Sequence, residues 1–324
     1  MMNSFLFNKT KAYDAYWQFA YNRQEVFYRK LSNEPQPWTD DPIIQRYRFT
    51  NPYRVTDRVS QYLVKNVIYG KDSLTPEDKL FRILLFKIFN KIDTWEYLEF
   101  KLGEINYSHY NEQIYSKLLD ELVENNFKIY SAAYIMPSGV SSFGYTKKHR
   151  NNLALLSHMF SNGISRKVAQ SKSLQELYQL LLSFPTIGSF LAFQYAIDIN
   201  YSELCDFDEM SFVVAGPGAK SGIEKCFNLR RYDYTDAIRF VADKQEEEFE
   251  KRGYKFRTLF GRKLQLIDCQ NLFCETDKYT RIYCPEISSN QNRTKIKQIY
   301  TPNFTKIDLF LPPKWGLKVD KGGE

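Results

Sequence analysis

The segment between Leu174 and Gly218 constrains the fold of this 324-residue chain more than any other part. Its sequence LQELYQLLLSFPTIGSFLAFQYAIDI predicts an apolar helix up to Phe184, a tight turn and a second apolar helix. Small side chains at Gly188 and Ala192 would allow the two helices to approach closely. The turn would present backbone N–H groups at the start of the second helix, an arrangement suited to a phosphate. The alternative is that the turn only connects two helices.

Helical patterns also dominate the rest of the chain. Thr75-Pro76-Glu77-Asp78 is typical of a helix start, with a hydroxyl cap, proline in the first turn and acids near the N-terminus. The polar stretch 137–152 predicts a loop, and the last 70 residues are mixed and could add a small strand pair. Apolar periodicity predicts further helices over about residues 11–31, 55–68, 110–126, 152–161 and 234–252.

We therefore predict a mainly α fold with a small mixed C-terminal part. The chain is long enough for one large domain or two modest ones. Residues 1–324 are expected to form one helical unit of two lobes. An N-terminal lobe would span about 1–170, a hairpin and catalytic-loop region 171–255, and a C-terminal extension 256–324.

Composition limits the classes of partner. The net charge of +7 permits a polyanionic partner without requiring one, and the aromatic content of 16% supplies rings that pack in a core or stack on bases. The five cysteines form no CxxC pair, and the three histidines lie far from them in sequence. We therefore expect reduced thiols, no metal and a cytoplasmic location. No leader and no apolar run of membrane-spanning length is recognisable, so we expect no membrane partner.

The hairpin resembles the DNA-gripping helix-hairpin-helix of base-excision DNA glycosylases, except that Thr186 replaces the first glycine of the turn. The resemblance implies DNA contacts at the turn residues Thr186, Ile187, Gly188 and Ser189. It also implies a catalytic aspartate downstream, and Asp208 lies twenty residues after Gly188, with Asp206 and Glu209 as possible substitutes. A carboxylate there would stabilise positive charge on the sugar as the glycosidic bond breaks. Reaching that bond requires extrusion of the nucleotide from the stack.

Related enzymes that also cut the backbone carry a lysine two residues after the second glycine, where this chain has Phe190. The resemblance therefore implies a monofunctional enzyme that leaves an abasic site. Downstream, GPGAKS is not a nucleotide-binding P-loop, because Ala219 stands where that motif needs glycine. We expect no nucleotide and no other cofactor. Gly216, Gly218 and Lys220 could still contact a phosphate or a flipped base.

Four stretches together resemble a more specific family. They are PWTDDPIIQRYRFTNPYRVTDRVSQYL, IGSFLAFQYAIDINYS, FDEMSFVVAGPGAKSGI and DCQNLFCETDKYTR. They are similar to the helical domain of the 5-hydroxymethyl-deoxyuridine DNA kinases and the related alpha-glutamyl/putrescinyl thymine pyrophosphorylases. That group modifies DNA bases, and its fold is considered a branch of the helix-hairpin-helix glycosylase superfamily. Standalone members of similar type include anti-phage glycosylases.

The family motifs suggest two sets of site residues. The first would clamp phosphates and comprises Arg48, Asn51, Arg54 and Arg58. The second would line a base pocket and comprises Asp57, Asp268, Gln270, Asn271, Glu275 and Lys278. The alternative is a structural network in which Asp57 pairs with arginines and Asp268 and Lys278 brace the fold.

Three functions remain open at this point. The first is a glycosylase that excises a hydroxymethylated or glycosylated pyrimidine in anti-phage defence. The second is a transferase of DNA base hypermodification, which would add an amine or amino acid to an activated hydroxymethyl-pyrimidine. The third is a DNA-binding module without catalysis. All three imply double-stranded DNA with modified bases as the partner, and the oligomeric state is left open.

Overall fold

The computed structural model describes residues 8–71, 73–228, 233–289, 293–303 and 305–319, and this part is mainly helical, as predicted. Two short strands pair antiparallel, with Asn8 opposite Asn228. In chain order the elements are β1 (Asn8–Lys9), α1 (Lys11–Leu31), α2 (Pro42–Arg46), a 3-10 turn (Arg54–Thr56), α3 (Arg58–Tyr62), a π-helical turn (Leu63–Ile68), α4 (Pro76–Phe89), α5 (Ile92–Leu102), α6 (Glu112–Glu124), α7 (Val140–Phe143), α8 (Lys148–Ser161), α9 (Ile164–Gln170), α10 (Leu174–Leu182), α11 (Ser189–Asn200), α12 (Pro217–Cys226), β2 (Phe227–Asn228), α13 (Tyr234–Lys251), α14 (Leu266–Tyr283) and a 3-10 turn (Pro313–Trp315).

The chain divides into two compact units. Unit 1 comprises residues 1–57, 213–309 and 315–324, and unit 2 comprises residues 58–212 and 310–314. The expected lobe boundaries near 170 and 255 do not match this division. The reason is long-range packing, since α1 packs against α12 and α14 from the far end of the sequence.

Aromatic side chains build the core of unit 1. Helix α1 starts at a cap in which Thr10 accepts a hydrogen bond from the backbone N–H of Ala12. Its Tyr16 ring lies 4.6 Å from the ring of Phe273 on α14, measured between centroids. Its Trp17 ring meets Phe249 of α13 edge-on at 4.9 Å. The high aromatic content thus serves packing in this unit.

Two glycines bring α12 and α14 into close contact. A Cβ atom on Gly222 would lie 1.9 Å from the backbone oxygen of Phe273, and one on Gly218 would lie 2.3 Å from Sγ of Cys274. The two glycines are one helical turn apart and therefore share one face of α12. Close approach of two helix backbones is what requires glycine at both positions.

Helix α4 is the centre of unit 2 and is buried on most sides, as its sequence predicts. Thr75 caps it by accepting a hydrogen bond from Asp78 N at 3.1 Å. Buried Arg82 donates to the backbone oxygens of Val67, Asn66 and Ile105 at 2.9 to 3.1 Å. Two of these acceptors belong to the π-helical turn, whose backbone spacing differs from that of an α-helix.

A buried ion pair joins α4 to the second helix of the hairpin. Lys87 Nζ lies 3.0 Å from a carboxylate oxygen of Asp198, and both side chains are almost completely buried. The lysine also donates to Asn90 Oδ1 at 2.9 Å. Removing one partner of such a pair leaves an uncompensated buried charge, so the pair fixes the position of α11 against α4.

Several expectations require correction. Residues 266–283 form the long helix α14 rather than the mixed structure expected near the C-terminus. The strand pair joins residues 8–9 to 227–228 and does not lie in the last 70 residues. The region 55–68 is a succession of 3-10, α and π turns rather than one helix. The stretch 137–152, predicted as a loop, contains α7 and the start of α8. Helices α2, α5 and α9 were not predicted.

All five cysteines are free, and all but the partly buried Cys274 are buried. Within the described ranges, no helix combines the length and hydropathy that a bilayer crossing requires. In the same part of the chain, no group of three or more His, Cys, Asp or Glu side chains is arranged to hold a metal ion.

Candidate functional site

The predicted hairpin is present in unit 2. Helix α10 ends at Leu182, and α11 starts after Gly188, whose carbonyl accepts a hydrogen bond from Ala192 N at 2.9 Å. Ala192 is completely buried. Thr186, the residue that departs from the glycosylase pattern, has a φ of 66° and thus adopts the left-handed conformation. The backbone therefore keeps at Thr186 the conformation that glycine adopts most easily.

We expect Thr186→Gly to raise the free energy of unfolding by about 1 kcal/mol. Relief of the left-handed strain, about 1 to 2 kcal/mol, should outweigh the greater chain entropy of glycine. Urea unfolding of the two proteins measures the difference. Thr186→Ala is the matched comparison, because alanine keeps a Cβ atom and should give no gain. Equal stabilisation by both substitutions would contradict the strain argument.

The acidic residues after the hairpin lie in an exposed turn. Asp208 is exposed, and its Oδ1 accepts a hydrogen bond from Met210 N at 2.8 Å. Ser211 Oγ donates to the Asp208 carbonyl at 2.6 Å. The Asp206 side chain is 87% exposed and lies 3.4 Å from Lys314 Nζ, whereas Glu209 is buried. The geometry gives Asp208 a local role in the turn, and its catalytic role remains a prediction.

The predicted DNA-contacting residues fall into two groups by exposure. Arg48, Arg58, Lys220, Gly188 and Ser189 are exposed and available to a ligand. The remainder are less accessible, and four of them are buried or packed within their own unit, namely Arg54, Ile187, Gly216 and Gly218. For these four the predicted contact with DNA stays a prediction, since burial of a side chain does not exclude a contact through backbone N–H groups. Burial keeps the Arg54 guanidinium from a DNA backbone, and the glycine at 218 is required by the contact with α14.

Asn51 fixes the position of Asp57 in unit 1. The Asn51 backbone N–H donates to Asp57 Oδ1 at 2.8 Å, and its side-chain amide donates to the Thr56 carbonyl at 2.9 Å. Asn51 therefore holds the backbone and the side chain of the same turn. Its place in the RFTN motif agrees with this positioning role better than with a direct phosphate contact.

Asp57 lies in a cluster of charged groups. Burial raises its pKa from 3.8 to about 7, although the Asn51 N–H and the positive charges of Arg23 and Arg54 oppose this shift. Burial also lowers the pKa of Arg23, against the charges of Asp57, Tyr300 and Glu275. A partly buried carboxyl that titrates near neutrality beside a cation is a frequent feature of functional sites.

Glu275 and Lys278 complete this cluster on α14. Glu275 Oε2 accepts hydrogen bonds from Thr50 N at 3.1 Å and from Lys278 Nζ at 3.0 Å. The Lys278 ammonium also lies 4.5 Å from the centre of the Phe49 ring. The structure thus brings together Asp57, Glu275 and Lys278 from the predicted base-pocket set.

Asp268 has a bracing position instead. One of its oxygens accepts a hydrogen bond from Gln265 N at 3.0 Å and so caps the start of α14. The other accepts from Arg54 N at 2.8 Å and so holds the 3-10 turn Arg54–Thr56. Burial raises its pKa to about 6. Gln270 is buried, and Asn271 is partly exposed. The alternative given above, a bracing role, describes Asp268 best.

A cavity of about 400 Å³ opens in unit 1. This volume is within the usual range for small-molecule sites. Half of its lining residues are aromatic or carry an amide. The lining includes Arg23, Gln36, Trp38, Tyr47, Phe49 and Tyr300.

The sequence predictions named none of these six residues. One signal was present, because Phe49 belongs to the RFTN motif of residues 48–51 and Tyr47 directly precedes this motif. Arg23 gives no such signal, since an arginine in an amphipathic helix is ordinarily solvent-exposed.

Comparison with known proteins identifies the family. The family model "5-hmdU DNA kinase, helical domain" matches residues 10–289. A 5-hmdU DNA kinase of Bacillus phage SP10 is 23% identical over 293 residues, which cover 85% of this chain and 46% of that protein. This chain therefore spans about half the length of that relative. No solved structure matches the chain significantly. Because this family model covers most of the chain, the protein belongs to the helical-domain family of the 5-hmdU DNA kinases.

Proposed function

We propose that this protein is a DNA base-modifying transferase that acts at the hydroxymethyl group of a modified pyrimidine. This is the second of the three functions that the sequence left open. The kinase activity named for the phage relative favours group transfer over base excision. The observation that carries the proposal is the cluster around Asp57, a carboxyl group with a pKa near 7 beside Arg23.

Group transfer at this position needs a proton acceptor. In a kinase-type reaction the hydroxymethyl oxygen forms a bond to the terminal phosphorus of a nucleoside triphosphate, and the bond from that phosphorus to the diphosphate breaks. The hydroxyl proton then passes to a base. In the second type of reaction the amine nitrogen forms a bond to the methylene carbon, the bond from that carbon to the phosphorylated oxygen breaks and phosphate leaves. The amine then loses a proton to a base. A carboxylate with a pKa near the working pH suits either role, which we assign to Asp57.

Asn51 and Arg23 would support this role. The 2.8 Å hydrogen bond from Asn51 N occupies Oδ1 of Asp57, so a proton would be accepted by Oδ2. The positive charge of Arg23 stabilises the ionised carboxylate against burial. The sequence predicts that no nucleotide is required, whereas a kinase-type reaction consumes a nucleoside triphosphate. The experiment therefore also tests whether the reaction depends on a nucleotide.

The test is a product analysis on DNA with 5-hydroxymethyl-deoxyuridine at one defined position. One arm supplies ATP with a labelled terminal phosphate. A second supplies DNA whose hydroxymethyl group is already phosphorylated, together with amino acids or polyamines. Mass spectrometry of the digested nucleosides should show, in one arm, a product heavier than 5-hydroxymethyl-deoxyuridine by the transferred group.

Asp208→Asn serves as the discriminating variant. Group transfer should persist in it, because Asp208 lies in an exposed turn and no step of transfer uses it. Released base and abasic sites that disappear in Asp208→Asn would instead establish excision and overturn the proposal. Unchanged DNA in both arms, with binding retained, would indicate the DNA-binding module.

A further inference from the structure

We propose that the cavity of unit 1 holds the extruded base and that Arg23 distinguishes uracil-type from cytosine-type rings at ring position 4. This inference rests on the proposed function, because it names the base on which the transferase acts. It assigns a binding role to Arg23, Trp38, Tyr47 and Tyr300.

Arg23 supplies the first observation. Its Nη1 atom is buried, and no acceptor in the described part of the chain lies within hydrogen-bond distance of it. Arg23 also lines the cavity. A buried N–H group without an acceptor is unfavourable, so a ligand that places an acceptor in the cavity would be stabilised there. A ring carbonyl oxygen is such an acceptor.

The walls supply the second observation. Trp38, Tyr47, Phe49 and Tyr300 give the cavity aromatic faces, on which a planar base can stack. The Trp38 indole N–H donates to the Glu34 carbonyl at 2.8 Å, which fixes the orientation of this ring. The Gln36 side chain adds an amide to the lining, and amides form hydrogen bonds with base edges.

Charge favours a base over a phosphate in this cavity. Arg23 is the cation of the lining, and the charges of Asp57 and Glu275 act on it. Two carboxylates close to one guanidinium would oppose a dianionic ligand. A neutral ring that offers a carbonyl oxygen meets the unsatisfied donor without that repulsion.

Ring chemistry gives the specificity. A uracil-type base carries a carbonyl oxygen at position 4, whereas a cytosine-type base carries an amino group there. Arginine can only donate hydrogen bonds, so it pairs with the carbonyl and opposes the amino group. The same guanidinium interacts electrostatically with Asp57, so base recognition and the proposed proton acceptor belong to one cluster.

The experiment measures binding rather than turnover. Fluorescence anisotropy gives the Kd for duplexes with 5-hydroxymethyluracil or 5-hydroxymethylcytosine, each placed opposite an abasic site so that extrusion breaks no base pair. We expect the wild-type protein to prefer the uracil form by about ten-fold or more, the usual effect of one good contact to a base edge. Arg23→Met should bring this ratio close to one.

Two further variants keep the test decisive if Arg23→Met folds poorly. Tyr300→Ala removes one ring from a segment that pairs with α2 through its backbone, by Tyr300 N to the Arg46 carbonyl at 3.0 Å. It should weaken binding of both modified duplexes and leave binding of an unmodified duplex unchanged. Arg166→Met, at an exposed arginine of unit 2, is the matched control and should keep the preference.

The outcomes separate this inference from the proposed function. The cavity assignment is overturned if the preference for the uracil form survives in Arg23→Met. It is also overturned if Tyr300→Ala leaves binding of the modified duplexes unchanged. Both conclusions hold even if the DNA is modified by transfer. A preference that depends on Arg23 without any transferred group supports the cavity assignment and removes the transferase proposal.

Discussion

Replacing Gly222 by alanine should prevent stable folding of unit 1. The added Cβ would lie 1.9 Å from the backbone oxygen of Phe273, far inside van der Waals contact. Neither helix can move away alone, because α12 and α14 pack against each other and both pack against α1. We expect a loss of more than about 4 kcal/mol in the free energy of unfolding, the range of the most severe core substitutions.

Chemical denaturation followed by circular dichroism measures this loss, and three further substitutions serve as comparisons. Gly188→Ala is the matched control, since Gly188 has an ordinary backbone conformation and no atom near the position of a Cβ. Gly218→Ala should be milder, because its clash is with Sγ of Cys274, and Cys274→Ala should partly rescue it. Cys274→Ala cannot rescue Gly222→Ala, whose clash is with backbone. Wild-type stability of Gly222→Ala would contradict the close contact of the two helices.

Asp57→Asn should lower the rate of group transfer by at least about 100-fold, the usual contribution of a general base. For the wild type, kcat/KM should rise with pH and level off above about pH 7, where the carboxyl group is ionised. The residual activity of Asp57→Asn should lack this rise. A pH profile of kcat/KM for both proteins, with the DNA substrate described above, measures the effect. An unchanged profile in the variant would remove Asp57 from the reaction.

The same pKa shift has a stability consequence that does not depend on activity. The folded protein holds the Asp57 proton up to about pH 7, whereas the unfolded chain releases it near pH 3.8. Between these values the folded state binds more protons, so its stability falls as pH rises. Relative to Asp57→Asn, the wild type should lose up to about 4 kcal/mol across this window, at 1.36 kcal/mol per pKa unit. Urea unfolding of both proteins between pH 4 and 8 measures it, and a constant difference would contradict the shift.

Local signals in the sequence were sufficient for much of the fold. The apolar periodicity of residues 11–31 matches α1, and the Thr75-Pro76 start matches α4. These features depend on neighbours within one or two helical turns, so the local sequence contains them. The hairpin is of the same kind, and its left-handed turn persists even with threonine at position 186.

Features set by distant parts of the chain were not predictable in the same way. The residues of α14 lack a clear apolar stripe because this helix is buried on several sides, against α12, α13 and α1. The role of Arg23 depends on its burial and on the charges of Asp57, Tyr300 and Glu275, which all lie more than thirty positions away in the sequence. The family motif placed Asp57 in the base-pocket set, and its raised pKa follows from burial and, to a smaller extent, from the charge of Glu275.

The distribution of cysteines provides an intrinsic reporter of how each unit opens. Cys205 is the single thiol of unit 2, whereas Cys226, Cys269, Cys274 and Cys284 belong to unit 1. Burial raises the pKa of all five thiols, and an alkylating reagent reaches the four buried ones only when the surrounding structure opens, whereas Cys274 is partly accessible in the folded state. The labelling rate of Cys205 and the rates of Cys226, Cys269 and Cys284 therefore report the local opening equilibria of two parts of one chain, without any engineered probe.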